Sequence, residues 1–301
     1  MTVAIETHGL TKYYGRIRGV EELELQVEQG EVFGFLGPNG AGKTTTIRLL
    51  MGFLRPTRGS ARVLGLDAWS QPAAVHAHVG NLPGEFNLYE DLSGEQYLRF
   101  CASMRGLGDL SYTREMAGRL DLDLHRRIGG YSRGMKQKLG LIQALMHRPP
   151  LLLLDEPTLG LDPLMQQECY ALVNEFRAAG HTIFLSSHML HDVEHICHRV
   201  GIIRQGHLVA VEEIEALKAK AFRWMTITFD QPVAEAEFSG LPGVSNLERR
   251  NDHTLHFTIS GPLDPIIKAA ARFRVVDMDY RQATLEEIFL AYYEKAANHA
   301  A

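Results

Sequence analysis

The run Gly37-Pro38-Asn39-Gly40-Ala41-Gly42-Lys43-Thr44 constrains this chain more than any other stretch. It has the spacing G-x-x-x-x-G-K-S/T and follows the compact apolar segment Glu31 to Leu36, EVFGFL, which reads as a strand. Behind it, Thr45 to Leu54 predicts a helix stopped by Pro56. A strand, a glycine loop and a helix in that order build a phosphate cradle. Glycines let successive backbone N–H groups turn inward around phosphate oxygens, and the helix N-terminus adds the positive end of its dipole. Lys43 brings a point charge for β- and γ-phosphates, and the Thr44 hydroxyl an oxygen for Mg²⁺. A chance glycine loop has no reason to carry both flanking elements, so nucleotide binding is the reading this stretch supports.

A second apolar run, Leu151 to Leu154, follows Pro149-Pro150 and leads into Asp155-Glu156-Pro157. A buried strand ending in Asp155 sets a carboxylate at the carboxyl edge of a sheet, where it can hold Mg²⁺ through water. Glu156 comes next and is able to orient or deprotonate an attacking water. The plain alternative is a solvated acidic turn, which the phosphate loop upstream disfavours. Thr182 to Ser186, TIFLS, is a third buried strand, and Gly201 to Val211 reads as a hairpin turning at Gln205-Gly206. Val3 to His8 and Glu21 to Val27 are short strands, whereas Tyr89 to His147 is mostly helical, with breaks at Gly106, Gly108 and Gly129-Gly130. The pattern predicts an α/β fold. A mostly parallel central sheet carries helices on both faces.

The charged stretch Glu212 to Lys220 marks a composition shift. The expected division is a nucleotide-binding domain at 1–212, a connector at 213–222 and an accessory domain at 223–301. In the last, strands at Trp224 to Phe229, Val244 to Arg250, Thr254 to Ile259 and Arg274 to Tyr280 alternate with helices at Val233 to Phe238 and Leu263 to Phe273. That β-α-β-β-α-β order predicts a small ferredoxin-like α+β unit, with a further helix at Thr284 to Glu294. Its core is expected at Met225, Ile227, Phe229, Leu255, Phe257 and Ile259.

Composition enters as exclusion. The 301 residues contain no uncharged apolar run near the ~20 residues a spanning helix needs. The start, MTVAIETHGL, lacks the apolar core of a secretory signal. Three widely spaced cysteines, Cys101, Cys169 and Cys197, argue for a reducing cytosol over a disulfide framework. A net charge of -5 gives no reason to expect nucleic-acid binding. The expectation is a cytosolic chain, unless a partner holds it at a membrane.

Upstream of the second buried strand, Tyr131-Ser132-Arg133-Gly134-Met135, followed by Lys136-Gln137, opens a helix over Met135 to Met146. Ser132, Gly134 and the helix N-terminus form another anion site; taken alone, this is an ordinary capped helix start. Set between the phosphate loop and Asp155-Glu156, it resembles the LSGGQ signature of ABC ATPases. Thr158 to Asp162, TLGLD, is similar to that family's D-loop, and Ser186-Ser187-His188 to its switch-histidine segment. Tyr14, in Lys12-Tyr13-Tyr14-Gly15, stands where the family stacks an aromatic ring on adenine. The resemblance covers residues 3 to about 212. It implies a P-loop ABC ATPase, with an antiparallel β subdomain and a helical subdomain at about 87–147, that binds ATP with Tyr14, Gly37, Pro38, Asn39, Gly40, Ala41, Gly42, Lys43, Thr44, Thr45, Ser132, Gly134, Met135 and Asp162. Mg²⁺ would sit on Thr44 and Asp155, and catalysis would rest on Glu156, His188 and Lys43. Two copies would face head to tail, with ATP between Lys43 of one and Ser132-Gly134 of the other.

The wording YSRGMKQKLGLIQAL and LDEPTLGLDP is most similar to bacterial exporters of the drug- and antibiotic-resistance type, as is the tail Ala283 to Leu290. In that group the ATPase is a separate chain paired with an ABC-2-type permease. The resemblance therefore implies a homodimeric motor, peripheral at the cytoplasmic face of the membrane, driving efflux of a drug, antibiotic or lipid-like substrate. The alternatives are a soluble ABC ATPase acting on ribosomes or DNA, disfavoured by a single phosphate loop and no heptad run, and an import subunit with a regulatory extra domain. One departure stands out. Most ABC ATPases carry glutamine after the proline of the loop Val79 to Phe86, whereas this chain has Gly84 and then Glu85. Water is then expected to replace the glutamine, Glu85 to face the permease, and Gly84→Gln to be tolerated. The row His188, His191, His195 and His198 has helical spacing, but no carboxylate or cysteine completes a zinc set, so a solvated histidine row is the expectation.

Overall fold

The computed structural model describes residues 2–85, 87–219 and 223–282. The predicted helix at 284–294 and the tail from Ala283 to Leu290 lie outside the described residues. In chain order the elements are β1 (Val3–Tyr14), β2 (Ile17–Glu28), β3 (Val32–Leu36), α1 (Lys43–Leu50), β4 (Arg58–Val63), β5 (Leu66–Asp67), α2 (Pro72–His78) and β6 (Val79–Leu82). They continue with α3 (Gly94–Met104), α4 (Ser111–Arg119), α5 (Arg133–Leu145), β7 (Leu151–Asp155), α6 (Pro163–Ala178), β8 (Thr182–Ser187), α7 (Leu190–Ile196), β9 (Arg199–Arg204) and β10 (His207–Glu213). After α8 (Ile214–Ala219) come β11 (Arg223–Phe229), α9 (Ala236–Ser239), β12 (Val244–Asn251), β13 (Thr254–Ile259), α10 (Asp264–Ala270) and β14 (Val275–Gln282). The chain divides into two compact units, Met1–Ile214 and Glu215–Ala301.

In the first unit, a six-stranded sheet runs β10-β9-β3-β8-β7-β6. Every neighbouring pair is parallel except the β9–β10 hairpin. All residues of β3, β7 and β8 are buried, as a sheet covered on both faces requires. Their side chains, with those of the four-stranded antiparallel sheet β2-β1-β4-β5, form one core that includes Phe33, Phe35 and Phe184. β3 pairs Val32 with Ile183 of β8 on one side and Phe33 with Arg199 of β9 on the other. This puts the residues after Leu36 at the carboxyl edge of the sheet, between two later strands.

Helix α1 ends at Leu50, four residues before the expected stop. Gly52 takes a φ of 66°, so the chain leaves the helix before Pro56 acts. In the helical part, Ser93 and Gln96 form a reciprocal capping box on α3, and Ser132 caps α5 through the Met135 N–H. No helix among the described residues is long and apolar enough to cross a membrane.

The second unit has the sheet order β12-β13-β11-β14, with all neighbours antiparallel. This split arrangement is the ferredoxin-like topology, with a helix after the first and third of its strands. The six alternating residues expected inside, together with Phe238 and Ile266, are buried. Its first helix is shorter than expected, a single turn at Ala236–Ser239.

Candidate nucleotide site

The loop between β3 and α1 is held from both ends. Gly37 N–H donates to the Ser187 carbonyl at 3.2 Å, and Ala41 N–H to the Pro38 carbonyl at 3.1 Å. Gly42 precedes α1 with φ 114°, and a Cβ there would stand 2.6 Å from the Gly19 carbonyl oxygen. Only glycine fits, because both the backbone angle and the close approach exclude a side chain. No side chain caps α1, so its first N–H groups face the loop without a side-chain acceptor. That is the electrostatic arrangement an anion complements.

Lys43 is buried, and its Nζ donates to the Gly37 and Pro38 carbonyls at 2.7 and 3.3 Å. The same ammonium lies 3.2 Å from Glu156 Oε1, while Glu156 Oε2 is 2.7 Å from His188 Nδ1. One carboxylate thus joins the loop lysine to the switch-segment histidine. Glu156 adopts φ 53°, an unusual angle for a residue with a side chain. Its N–H is held by the Ser186 carbonyl and hydroxyl, both at 3.2 Å, so the end of β8 fixes the bend.

Beside this group, the Thr44 hydroxyl donates to Asp155 Oδ2 at 2.7 Å. Ser186 Oγ donates to the other oxygen of Asp155, which is fully buried at the end of β7. A hydroxyl and a carboxylate at a phosphate loop are the hard oxygen donors that suit Mg²⁺, which takes few protein ligands and completes its shell from phosphates and water. The residues present fit that ion.

A cleft of about 500 Å³ collects Lys43, Thr44, Asp155 and Glu156. Of the residues expected from the sequence, Tyr14, Asn39, Gly40, Gly42, Lys43, Thr44, Thr45, Gly84, Glu85, Asp155 and Glu156 line it. Tyr14 is exposed at the cleft, with Lys12 Nζ 5.5 Å from its ring centre and its hydroxyl 3.5 Å from Thr45 Oγ1. Gly37, Pro38, Ala41, Ser132, Gly134, Met135, Asp162 and His188 do not line it, and His188 reaches the group only through Glu156. Ser132 Oγ accepts the Met135 N–H at 3.3 Å, Gly134 packs on the Gly160 carbonyl, and Asp162 caps α6 through the Met165 N–H.

Sequence reasoning missed several contributors. Arg18, Arg48 and Arg133 also line the cleft, and Gln137 Nε2 donates to the Glu156 and Pro157 carbonyls at 3.0 and 3.2 Å. Arg133 and Gln137 lie inside the signature-like stretch, which was their available signal. Ser186 opens the switch-histidine segment, but nothing in the sequence pairs it with Asp155.

The expected tolerance of Gly84→Gln meets an obstacle. A Cβ on Gly84 would lie 3.0 Å from Asp155 Oδ2, the oxygen that receives the Thr44 hydroxyl. The chain comes this close because position 84 has no side chain. The histidine row divides: His191 and His195 stay together, ring centres 4.0 Å apart, with His195 also stacked on Tyr170, while His198 Nδ1 accepts the Val32 N–H and His188 turns to Glu156.

The family profile described as ABC transporter matches residues 20–159. The bacitracin transport ATP-binding protein of Bacillus licheniformis is 36% identical over 229 residues, 75% of this chain and 74% of that protein. The daunorubicin/doxorubicin resistance ATP-binding protein of Streptomyces peucetius is 34% identical over 309 residues, covering 96% of this chain and 92% of its own length. Among solved structures, an ATP-binding subunit of an ABC transporter superposes with a TM-score of 0.65 and 32% identity, over 71% of this chain and 92% of that one.

Proposed function

The chain belongs to the ABC transporter family and is an ATPase, and from that premise we propose that it is the motor subunit of an exporter, paired with an ABC-2-type membrane permease. One observation carries the exporter reading: the likeness to the drug-resistance protein runs through the C-terminal unit as well as the cassette. The substrate class that follows is a drug, antibiotic or lipid-like compound, and the working place is the cytoplasmic face of the membrane.

In this reading the loop N–H groups and Lys43 hold the ATP phosphates, exchanging Lys43's present carbonyl partners for phosphate oxygens. Tyr14 stacks on the base. Thr44 and Asp155 hold Mg²⁺, which supplies neutralisation of phosphate charge. Glu156 orients the attacking water, and His188, already bonded to it, fixes the carboxylate and faces the γ-phosphate. Ser132 and Gly134 lie off this cleft because they serve the nucleotide of a second, head-to-tail copy. The C-terminal unit stabilises that dimer or regulates its turnover.

Co-expression with a candidate ABC-2-type permease, sought among the neighbouring genes, tests the proposal. The two chains are expected to co-purify, and candidate substrates to stimulate hydrolysis in the complex. A chain that binds no membrane partner and is instead stimulated by ribosomes or DNA would overturn it.

A further inference from the structure

Asp192 carries an inference that neither the motifs nor the comparisons supply. It sits in the first turn of α7 and is 1% exposed, and three hydroxyls meet its carboxylate. Oδ2 accepts from Thr158 Oγ1 and from Ser187 Oγ, each at 2.8 Å, and Oδ1 accepts from the Tyr170 hydroxyl at 2.5 Å. Thr158, Ser187 and Tyr170 are themselves buried. A carboxylate taken out of water survives only where such donors replace its hydration.

The identity of the three donors matters more than their number. Thr158 follows Glu156 by two residues, and Ser187 immediately precedes His188. One oxygen of Asp192 therefore ties together the two chain segments that bring Glu156 Oε2 and His188 Nδ1 to 2.7 Å. Ser187 also accepts the Gly37 N–H on its carbonyl, so the same clamp reaches the start of the phosphate loop. Tyr170, on α6, anchors the other oxygen to the helix layer. We propose that Asp192 is a positioning residue for hydrolysis: it sets the spacing of the Glu156–His188 pair from beneath, without touching nucleotide.

The proposal rests on that pair being the hydrolytic one. Because the clamp has separate arms, they can be cut one at a time in the full-length chain. Thr158→Val removes the arm to the Glu156 segment and is expected to lower kcat about tenfold or more, with KM for ATP changed less than about twofold. Thr158→Ser keeps the hydroxyl and is expected to restore the rate. Asp192→Asn turns one acceptor into a donor and is expected to match Thr158→Val. Tyr170→Phe cuts only the α6 arm, and should lower the melting temperature while kcat stays within about twofold.

Loss of kcat in Tyr170→Phe equal to that in Thr158→Val would mean a merely structural role and overturn the proposal. So would a wild-type rate in Thr158→Val, which also serves if Asp192→Asn fails to fold. Glu156→Gln is assayed alongside. Hydrolysis persisting there overturns the pair, and this proposal with it. An inactive Glu156→Gln beside a fully active Thr158→Val overturns the role of Asp192 alone.

Discussion

The two units solve the packing problem alike and the polar problem differently. The second closes its core with Phe229, Phe238 and Phe257, ring centres 5.6–5.8 Å apart, under a sheet whose buried polar residues are two threonines, Thr254 and Thr258. The first has an equally apolar core, yet buries Lys43, Asp155, Thr158, Ser186, Ser187 and Asp192 at one edge of its sheet. Burying such groups costs stability unless each finds a partner, so a fold without a use for them leaves them out. Apolar packing makes a domain; converging buried charges make a site.

The largest test of that contrast is Glu156→Gln. It is expected to lower kcat about 10³-fold while ATP binding, measured with a fluorescent analogue, persists. Lys43→Ala should weaken nucleotide binding itself. Equal losses of binding and turnover in both variants would erase the distinction between holding phosphate and positioning water. Next, Phe257→Ala should destabilise the second unit by about 3 kcal/mol. Calorimetry on the full chain should show one transition move down, with nucleotide affinity of the first unit unchanged. A matching loss of affinity would show that the two units do not divide the labour as described.

Gly84→Gln comes third. With a Cβ pressed on Asp155, hydrolysis is expected to fall about fivefold, as an overpacked contact of ~1 kcal/mol would produce. Unchanged or raised turnover in a steady-state assay would show that the loop yields freely. Glu85→Ala, at an exposed position, should change the rate of the isolated subunit less than about twofold.

The fourth test concerns pH. In the first unit, burial pushes the half-buried His147 down to about 4, and Arg105 adds repulsion of the protonated ring. A histidine held neutral in the fold but free to protonate when unfolded contributes its full share above the unfolded value of ~6.5, and that share is lost as pH falls toward about 4. His147→Leu should therefore flatten the decline of melting temperature between pH 6.5 and 4. His256 of the second unit, lowered by burial and bonded to Thr226, should contribute a slope of the same sign. An unchanged acid slope in His147→Leu would place the first unit's acid sensitivity elsewhere.

Strands and the phosphate loop were legible because their signals are local. Buried parallel strands read as apolar runs, and glycine spacing announces a backbone turned toward an anion. The Asp155–Thr44 and Glu156–Lys43 partners were legible one step removed, through motif order. Asp192 was not, since in MLHDVEHI it looks like any acidic residue opening a helix. Its meaning comes from three hydroxyls that only folding brings together. Gly84 was read from what it lacks, whereas its structural effect is how near the loop comes to Asp155. The end of α1 was misplaced because Pro56 is a louder stop signal than the left-handed Gly52 that acts first.

The placement of β3 between β8 and β9 also has a consequence in time. Its partners follow about 150 residues later in the chain. At ~5–20 residues per second, a ribosome needs roughly 8 to 30 seconds to make them. Throughout that interval the emerging glycine loop has no sheet on either side, and the Ser187 carbonyl that receives Gly37 has not been synthesised. Closing so long a loop is also slow by entropy. A motif translated early is therefore among the last to become competent, and nucleotide cannot guide the early folding of the segment that will bind it.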